Sequence, residues 1–138
     1  LGSTYVQGVQ SQHVGVAVKH FAANNRENQR FTASSDMSER TLRELYLRTF
    51  EIIVKSAYPA TIMTSYNKIN GVLNSQNERL LRRILRDEWG FHGAVMSDWG
   101  AVANTVQALK AGLDLEMPGK GQASVTDIIR AVHTGELD

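Results

Sequence analysis

The stretch AVMSDWG at residues 94–100 is an apolar run that turns abruptly polar, and Val102, Val106 and Leu109 follow it at helical spacing. A short apolar run bounded by turn residues is typical of a strand buried on both faces, and the three- and four-residue steps are typical of an amphipathic helix. Gly112 closes that pattern as a C-terminal cap. The stretch therefore predicts one strand–loop–helix unit, with Asp98 and Trp99 at the end of the strand.

The same order recurs along the chain. Residues 14–18 and 61–64 are further apolar runs followed by polar or turn residues, and residues 113–119 are a fourth, short strand and turn. Helical patterns run from a cap at Ser38 to before Pro59, from near Asn77 to Gly90, and from Val125 to a stop at Gly135, while residues 5–12 form a helix of a preceding unit. About four parallel strand–helix units predict an α/β fold, and both open sheets and (β/α)8 barrels fit this order. Since a complete barrel takes roughly 250 residues, four units correspond to about half of one.

Composition excludes several classes of function. The 138 residues are 42% hydrophobic and carry a formal net charge of +1 with both signs interspersed, which indicates neither a nucleic acid nor an acidic membrane as a partner. Cysteine is absent, so neither disulfides nor thiolate metal sites are expected. The sequence has no apolar run long enough to span a membrane and no signal-peptide pattern, and it does not indicate a compartment.

Chemically useful side chains collect where the predicted strands end. Lys19 and His20 end the first strand, Tyr66 follows the second, and Asp98 and Trp99 end the third. In parallel α/β folds the loops at the carboxyl ends of the strands build the active site. Each residue also has a plainer interpretation: Asp98 as the N-cap of the next helix, Lys19 as a solvated lysine, His20 as a structural histidine, and the aromatic residues as core.

Six ordered motifs resemble glycoside hydrolase family 3. They are KHFAANN at 19–25 with Glu27, MSER at 37–40, MTSYN at 63–67, WGFHG at 89–93, SDW at 97–99 and GLDLEMPG at 112–119. The first motif resembles the β-glucosidase branch, because the Pro-Gly-His-Gly stretch usual in the N-acetylglucosaminidase branch is absent. The resemblance implies that residues 1–138 form the second half of a (β/α)8 TIM-type catalytic barrel. It also implies that the first half and a downstream second domain lie outside this sequence.

The resemblance also implies roles for single residues. Asp98 matches the family's catalytic nucleophile, and Tyr66 would orient it. Lys19 and His20 match the residues that bind sugar hydroxyls, while Met63 and Trp99 would contact the sugar ring. In β-glucosidases of this family the general acid/base usually comes from the second domain. Within the chain, only three carboxylates are candidates by default: Glu27, Asp36 and Glu116. No metal or cofactor is implied.

The expected function is a retaining, exo-acting β-glycosidase that removes terminal non-reducing β-D-glucosyl residues from glucosides or short oligosaccharides. A β-xylosidase or α-L-arabinofuranosidase of the same family is an alternative, as is a non-catalytic carbohydrate-binding α/β fragment. A phosphate-binding domain is disfavoured because no glycine-rich phosphate loop follows any strand. The remaining barrel half and the second domain are the expected partners. Because half a barrel has open edges and lacks the acid/base, the isolated segment is expected to be inactive and unstable or oligomeric.

Overall fold

The computed structural model describes all 138 residues and has an α/β architecture. In chain order its elements are α1 (Gly2–Gln10), β1 (Ala17–Phe21), β2 (Ser34–Ser35), α2 (α-helical Glu39–Thr41, π-helical Leu42–Leu47, α-helical Arg48–Ala57), β3 (Thr61–Thr64), β4 (Lys68–Ile69), β5 (Val72–Leu73), a 3-10 turn (Asn74–Gln76), α3 (Arg79–Glu88, π-helical), β6 (Ala94–Met96), α4 (Thr105–Ala111) and α5 (Gln122–His133).

The main sheet has three parallel strands in the order β1-β3-β6. One face of this sheet carries the fully buried Ile62 and Val95. Both belong to a core cluster of 19 buried residues, seven of which come from α2 and α3. On the other face Met63 and Met96 are register partners and only half-buried. The parallel sheet and its covering helices confirm the predicted α/β class.

The fourth predicted strand is much shorter than expected. The chain at residues 113–117 joins the sheet only through one parallel bridge, between Met96 and Leu115. The reason lies in Asp114, whose Oδ2 accepts the Val95 amide at 2.7 Å and pairs with Arg86 Nη2 at 2.6 Å. This side chain occupies the Val95 N–H, so the segment makes a single bridge rather than a ladder.

The first strand lies three residues further along the chain than its apolar run predicted. β1 pairs Ala17 with Thr61 and Val18 with Ile62, and after a break in register it pairs Phe21 with Thr64. Phe21 is fully buried, and its ring meets those of Phe50 and Trp89 edge-on at centroid distances of 5.0 and 5.9 Å. Such aromatic contacts add to the area that burial removes from water. The strand therefore continues past Lys19 and His20, which were expected to end it, to Phe21.

Helix boundaries agree with the predicted caps at several points. Ser38 Oγ accepts the Thr41 amide at 3.2 Å, and Asn77 Oδ1 accepts the Leu80 amide at 3.1 Å. Gly112 adopts φ +105° after α4, a conformation that residues with a Cβ avoid. The apolar positions of α3 are buried as its periodicity predicted. None of the helices has the length and apolar character needed to cross a bilayer.

A small second sheet was not predicted. β2 lies in the long polar loop after β1 and pairs in parallel with β4, which pairs antiparallel with β5 through a two-residue turn at Asn70 and Gly71. Both turn residues have positive φ, +49° and +84°, as tight hairpin turns require. Two-residue strands carry too little periodicity to predict from sequence. The sheet ties this loop to the end of β3, on the side of the fold where the candidate residues collect.

Candidate active site

Two of the predicted residues meet across the carboxyl end of the sheet. His20 Nε2 on β1 lies 3.4 Å from Asp98 Oδ2, just beyond β6, although β3 separates the two strands. The Asp98 side chain is 16% exposed and the His20 side chain 40% exposed. A carboxylate with one face open to solvent and an imidazole beside it is free to contact a ligand.

The helix-cap interpretation of Asp98 is wrong. α4 begins at Thr105, and its cap is Asn104, whose Oδ1 accepts the Gln107 amide at 2.9 Å. Asp98 Oδ1 instead accepts the N–H of the next residue, Trp99, at 2.7 Å. The carboxylate is therefore held by a local amide and faces His20 rather than a helix terminus.

Tyr66 joins the same group from β3. Its side chain is buried, and its hydroxyl donates to the Trp99 carbonyl at 2.9 Å. Burial is the largest influence that raises the pKa of Tyr66 above its ordinary value, and the negative charge of the nearby Asp98 raises that pKa further. The phenol is therefore neutral at physiological pH and keeps the proton that it donates to the Trp99 carbonyl, next to Asp98.

Lys19, Met63 and Trp99, the other predicted residues, lie near this group. None of them forms an ion pair with Asp98. Lys19 neighbours His20 on β1, but its side chain is exposed and pairs with no carboxylate. Met63 is half-buried on β3, and Trp99 is 65% exposed with its backbone bound to both Asp98 and Tyr66. His20, rather than Lys19, is thus the basic side chain in contact with Asp98.

Sequence reasoning missed a contribution from the loop after β1. The Arg30 guanidinium carbon lies 4.4 Å from the centroid of the Tyr66 ring, and Arg30 Nη1 pairs with Glu27 Oε2 at 3.0 Å. Phe31 packs edge-on against Tyr66, with the two ring centroids 4.7 Å apart. A cation over an aromatic face is stabilising and fixes the ring. Charges in an irregular loop have no periodic signal, so no pattern pointed to this contact.

The loop that carries Asp98 is hydrogen-bonded to Met117, which lies just after the bridge between Met96 and Leu115. Ser97 is fully buried, and its Oγ accepts the Met117 amide at 2.8 Å, while Gly100 N–H donates to the Met117 carbonyl at 2.7 Å. Ser97 and Gly100, on either side of Asp98, are therefore both hydrogen-bonded to Met117. This arrangement limits how far the carboxylate can move.

The carboxylates considered as a general acid/base are all engaged elsewhere. Glu116 is 10% exposed, accepts the Thr105 hydroxyl at 2.8 Å and pairs with Lys120 at 3.3 Å, so it anchors the segment between α4 and α5. Glu27 pairs with Arg30 and accepts an Asn24 amide proton, and Asp36 accepts the Ser34 hydroxyl. These contacts argue against each of them as the residue that protonates a leaving group.

A positioned aspartate beside a histidine and a neutral tyrosine, at the carboxyl ends of parallel strands, agrees with the result of comparing the whole chain with known proteins. The model of the glycosyl hydrolase family 3 N-terminal domain matches residues 1–138. The chain belongs to glycosyl hydrolase family 3. The resemblance inferred from the six motifs is thereby confirmed.

Curated relatives in this family carry two kinds of name. A β-glucosidase from Rhizobium radiobacter is 50% identical over 133 residues, which is 96% of this chain and 16% of that protein. An exo-α-(1->6)-L-arabinopyranosidase from Bifidobacterium breve is 54% identical over 134 residues, 96% of this chain and 17% of that protein. The chain thus spans about a sixth of the length of these relatives.

Solved structures give the same result for the fold. β-Glucosidase 3B from Thermotoga neapolitana in complex with glucose aligns with a TM-score of 0.93 and 51% sequence identity, over 99% of this chain and 20% of that one. A Bifidobacterium adolescentis family 3 β-glucosidase aligns with a TM-score of 0.92 and 53% identity, over 96% of this chain and 19% of that one. The parallel sheet and its helices are therefore those of this family's N-terminal domain.

Proposed function

We propose that the full-length protein containing this chain is a retaining, exo-acting β-glycosidase that hydrolyses terminal non-reducing β-D-glucosyl residues, with Asp98 as its nucleophile. The observation that carries the proposal is the contact between His20 and the partly exposed Asp98 carboxylate at the mouth of the sheet. Residues 1–138 are then the second half of the catalytic barrel, and the first half and a second domain complete the enzyme.

The chemistry assigned to Asp98 has two steps. The carboxylate attacks the anomeric carbon and forms a glycosyl ester, while the bond to the leaving oxygen breaks and that oxygen takes a proton from a general acid. Water, deprotonated by the same group acting as a base, then attacks the anomeric carbon and releases Asp98. Retention requires this acid/base about 5 to 5.5 Å from the nucleophile. Since Glu27, Asp36 and Glu116 are engaged, the acid/base is assigned to the second domain.

Nucleophilic attack requires the ionised form of Asp98. The Trp99 amide hydrogen-bonds one oxygen of this carboxylate, and His20 Nε2 lies 3.4 Å from the other. Lys19 and His20 are assigned as donors to sugar hydroxyls, and Met63 and Trp99 as the surfaces against the ring. Exposure of Trp99 and half-exposure of Met63 leave both side chains free for that role.

A second candidate activity is hydrolysis of terminal arabinosides. It is favoured by the Bifidobacterium breve relative, which is named for release of L-arabinopyranose and is 54% identical. The glucose complex of the Thermotoga neapolitana relative favours glucosides instead. A terminal β-xyloside is the third candidate substrate. A purely carbohydrate-binding role is less favoured because Asp98 is free of structural ion pairs other than that with His20.

The test uses the full-length gene product. Its kcat/KM is measured on matched aryl β-glucoside, β-xyloside and α-L-arabinoside substrates, and the β-glucoside is expected to be the best. A 2-fluoro-β-glucoside with a good leaving group is then used to trap the glycosyl-enzyme, and mass spectrometry is expected to find the label on the peptide that contains Asp98. Labelling of another carboxylate would refute the nucleophile assignment, and absence of turnover on all three substrates would refute the activity.

Tyr66→Phe is expected to lower kcat of the full-length protein on an aryl β-glucoside by on the order of 10- to 100-fold, since one preorganised hydrogen-bond donor beside the reacting centre is lost. The ring and its contact with Arg30 are retained, so folding should change little. Because the pKa of Tyr66 is raised, ionisation of this phenol should not limit wild-type activity below pH 10. Steady-state kinetics from pH 5 to about 10 test both points. Unchanged kcat in the variant would contradict the role of the hydroxyl.

A further inference from the structure

A buried polar cluster lies directly behind the stretch that carries His20. Three side chains converge on the Ala22 carbonyl oxygen: Asn74 Nδ2 at 2.8 Å, Ser65 Oγ at 3.1 Å and Asn67 Nδ2 at 3.3 Å. We propose that these three residues, the Ala22 clasp, are positioning residues that hold His20 against Asp98. This inference rests on the proposed function of that pair.

Donation to the Ala22 carbonyl is what the three side chains share, although Asn67 Nδ2 also donates to the Lys68 carbonyl at 3.0 Å. Ser65 and Asn74 are fully buried, and Asn67 nearly so. Asn74 Nδ2 also donates to Ser65 Oγ at 2.7 Å, whereas Asn74 Oδ1 is buried without any hydrogen-bond partner. An unpaired buried carbonyl oxygen is unfavourable, because it loses its hydrogen bonds to water and gains none in the fold. The Asn74 side chain thus keeps the orientation in which its Nδ2 donates to the Ala22 carbonyl, although its Oδ1 has no hydrogen-bond partner.

The stretch that the clasp holds needs an external anchor. The pairing of β1 with β3 is regular at Val18 and loses register before Phe21, so Lys19 and His20 lie in the irregular part of the strand. Ala23 has φ +62°, a left-handed conformation that a residue with a Cβ rarely adopts. Such conformations persist only where the surroundings determine them strongly, and they cluster at functional sites.

The three side chains come from later parts of the chain, and two of them lie just beyond β3, the strand that pairs with β1. Ser65 and Asn67 follow β3, and Asn74 opens the 3-10 turn after β5. Asn67 Nδ2 also reaches the Ala23 carbonyl at 3.3 Å. The end of β1 is therefore fixed, immediately after His20, to the segments that follow β3 and β5. Because His20 must reach Asp98 across β3, a small displacement of residues 20–23 would open the 3.4 Å contact.

The experiment is a double-mutant cycle in the full-length protein, with Asn74→Ala, His20→Ala and the double variant compared by kcat/KM on an aryl β-glucoside. Asn74→Ala is expected to lower kcat/KM by at least about tenfold when His20 is present and by less than about threefold when His20 is already alanine. A crystal structure of Asn74→Ala should show a longer distance from His20 Nε2 to Asp98 Oδ2. Ser65→Ala, a smaller change on the same carbonyl, repeats the cycle if Asn74→Ala does not fold.

The matched control is Asn77→Ala, which removes a helix-capping asparagine three residues away without touching Ala22. It should lower the melting temperature, and its effect on kcat/KM should be the same with and without His20. If Asn74→Ala also lost the same factor in both backgrounds, the clasp would be purely structural and the inference overturned. An inactive wild-type protein would instead refute the proposed function, so the two failures are distinguishable.

Discussion

Asp98→Gly is expected to lower kcat of the full-length protein on an aryl β-glucoside by at least about 10³-fold, because no other group can form the glycosyl ester. The Asp98 side chain supports no helix cap, and Ser97 and Gly100 hold the backbone on either side of it. The variant should therefore fold. Its melting temperature and its steady-state rate separate the chemical effect from a loss of stability.

Azide gives this prediction a stereochemical test. In Asp98→Gly a small anion can enter the space left by the carboxylate, attack from the same face, and restore turnover with the α-glucosyl azide as product. Asp87→Asn, which changes an exposed carboxylate on α3, is the matched control and should retain wild-type activity without azide. A β-glucosyl azide would show that Asp98 is the acid/base, and retained activity without azide would show that it is neither.

The isolated 138-residue chain is expected to show no measurable turnover of an aryl β-glucoside under conditions in which the full-length protein is active. Its own carboxylates near the cleft are engaged, as Glu116 is by Thr105 and Lys120, so the leaving group cannot be protonated. The main sheet also ends at β1 on one side and at a single bridge beyond β6 on the other. Open parallel edges favour self-association, which size-exclusion chromatography would detect.

A dinitrophenyl β-glucoside separates the two causes of this inactivity, because its leaving group departs without protonation. If the isolated chain folds by circular dichroism, it should still give a burst of dinitrophenol as the glycosyl ester forms on Asp98, followed by slow hydrolysis. The control is the isolated chain carrying Asp98→Gly, which should give no burst. Turnover of the ordinary aryl glucoside at a rate comparable with that of the full-length protein would show that the acid/base lies within these residues.

Local patterns anticipated much of the fold because they are set by neighbours in sequence. Ser38 and Gly112 marked helix ends correctly, since capping depends on a side chain and backbone within one turn. The strand ends were harder. β1 lies later than its apolar run because Phe21 is buried between Phe50 and Trp89, a contact between distant segments. Asp114 shortened the last strand by taking the Val95 amide, which apolar periodicity does not report.

For the candidate site residues too, local sequence predicted some features, and contacts between distant segments decided others. Their placement at strand ends was predicted from sequence, because parallel strands carry consecutive loops to one edge of a sheet. The role of Asp98 was not predicted from sequence, because its position fitted a helix cap equally well. Only the structure showed that Asn104 caps α4. Arg30 over Tyr66 and the donors on Ala22 had no sequence signal, because each contact joins residues far apart in the chain.

The order of apolar runs, caps and polar strand ends by itself determined that this chain is a parallel α/β structure, because backbone hydrogen bonding and side-chain period act over a few residues. Only the tertiary structure decided that Asp98 faces His20 rather than a helix terminus, and that Lys19 pairs with no carboxylate. Those choices depend on distances across the sheet. Such distances arise when separate segments pack together, and no local pattern encodes them.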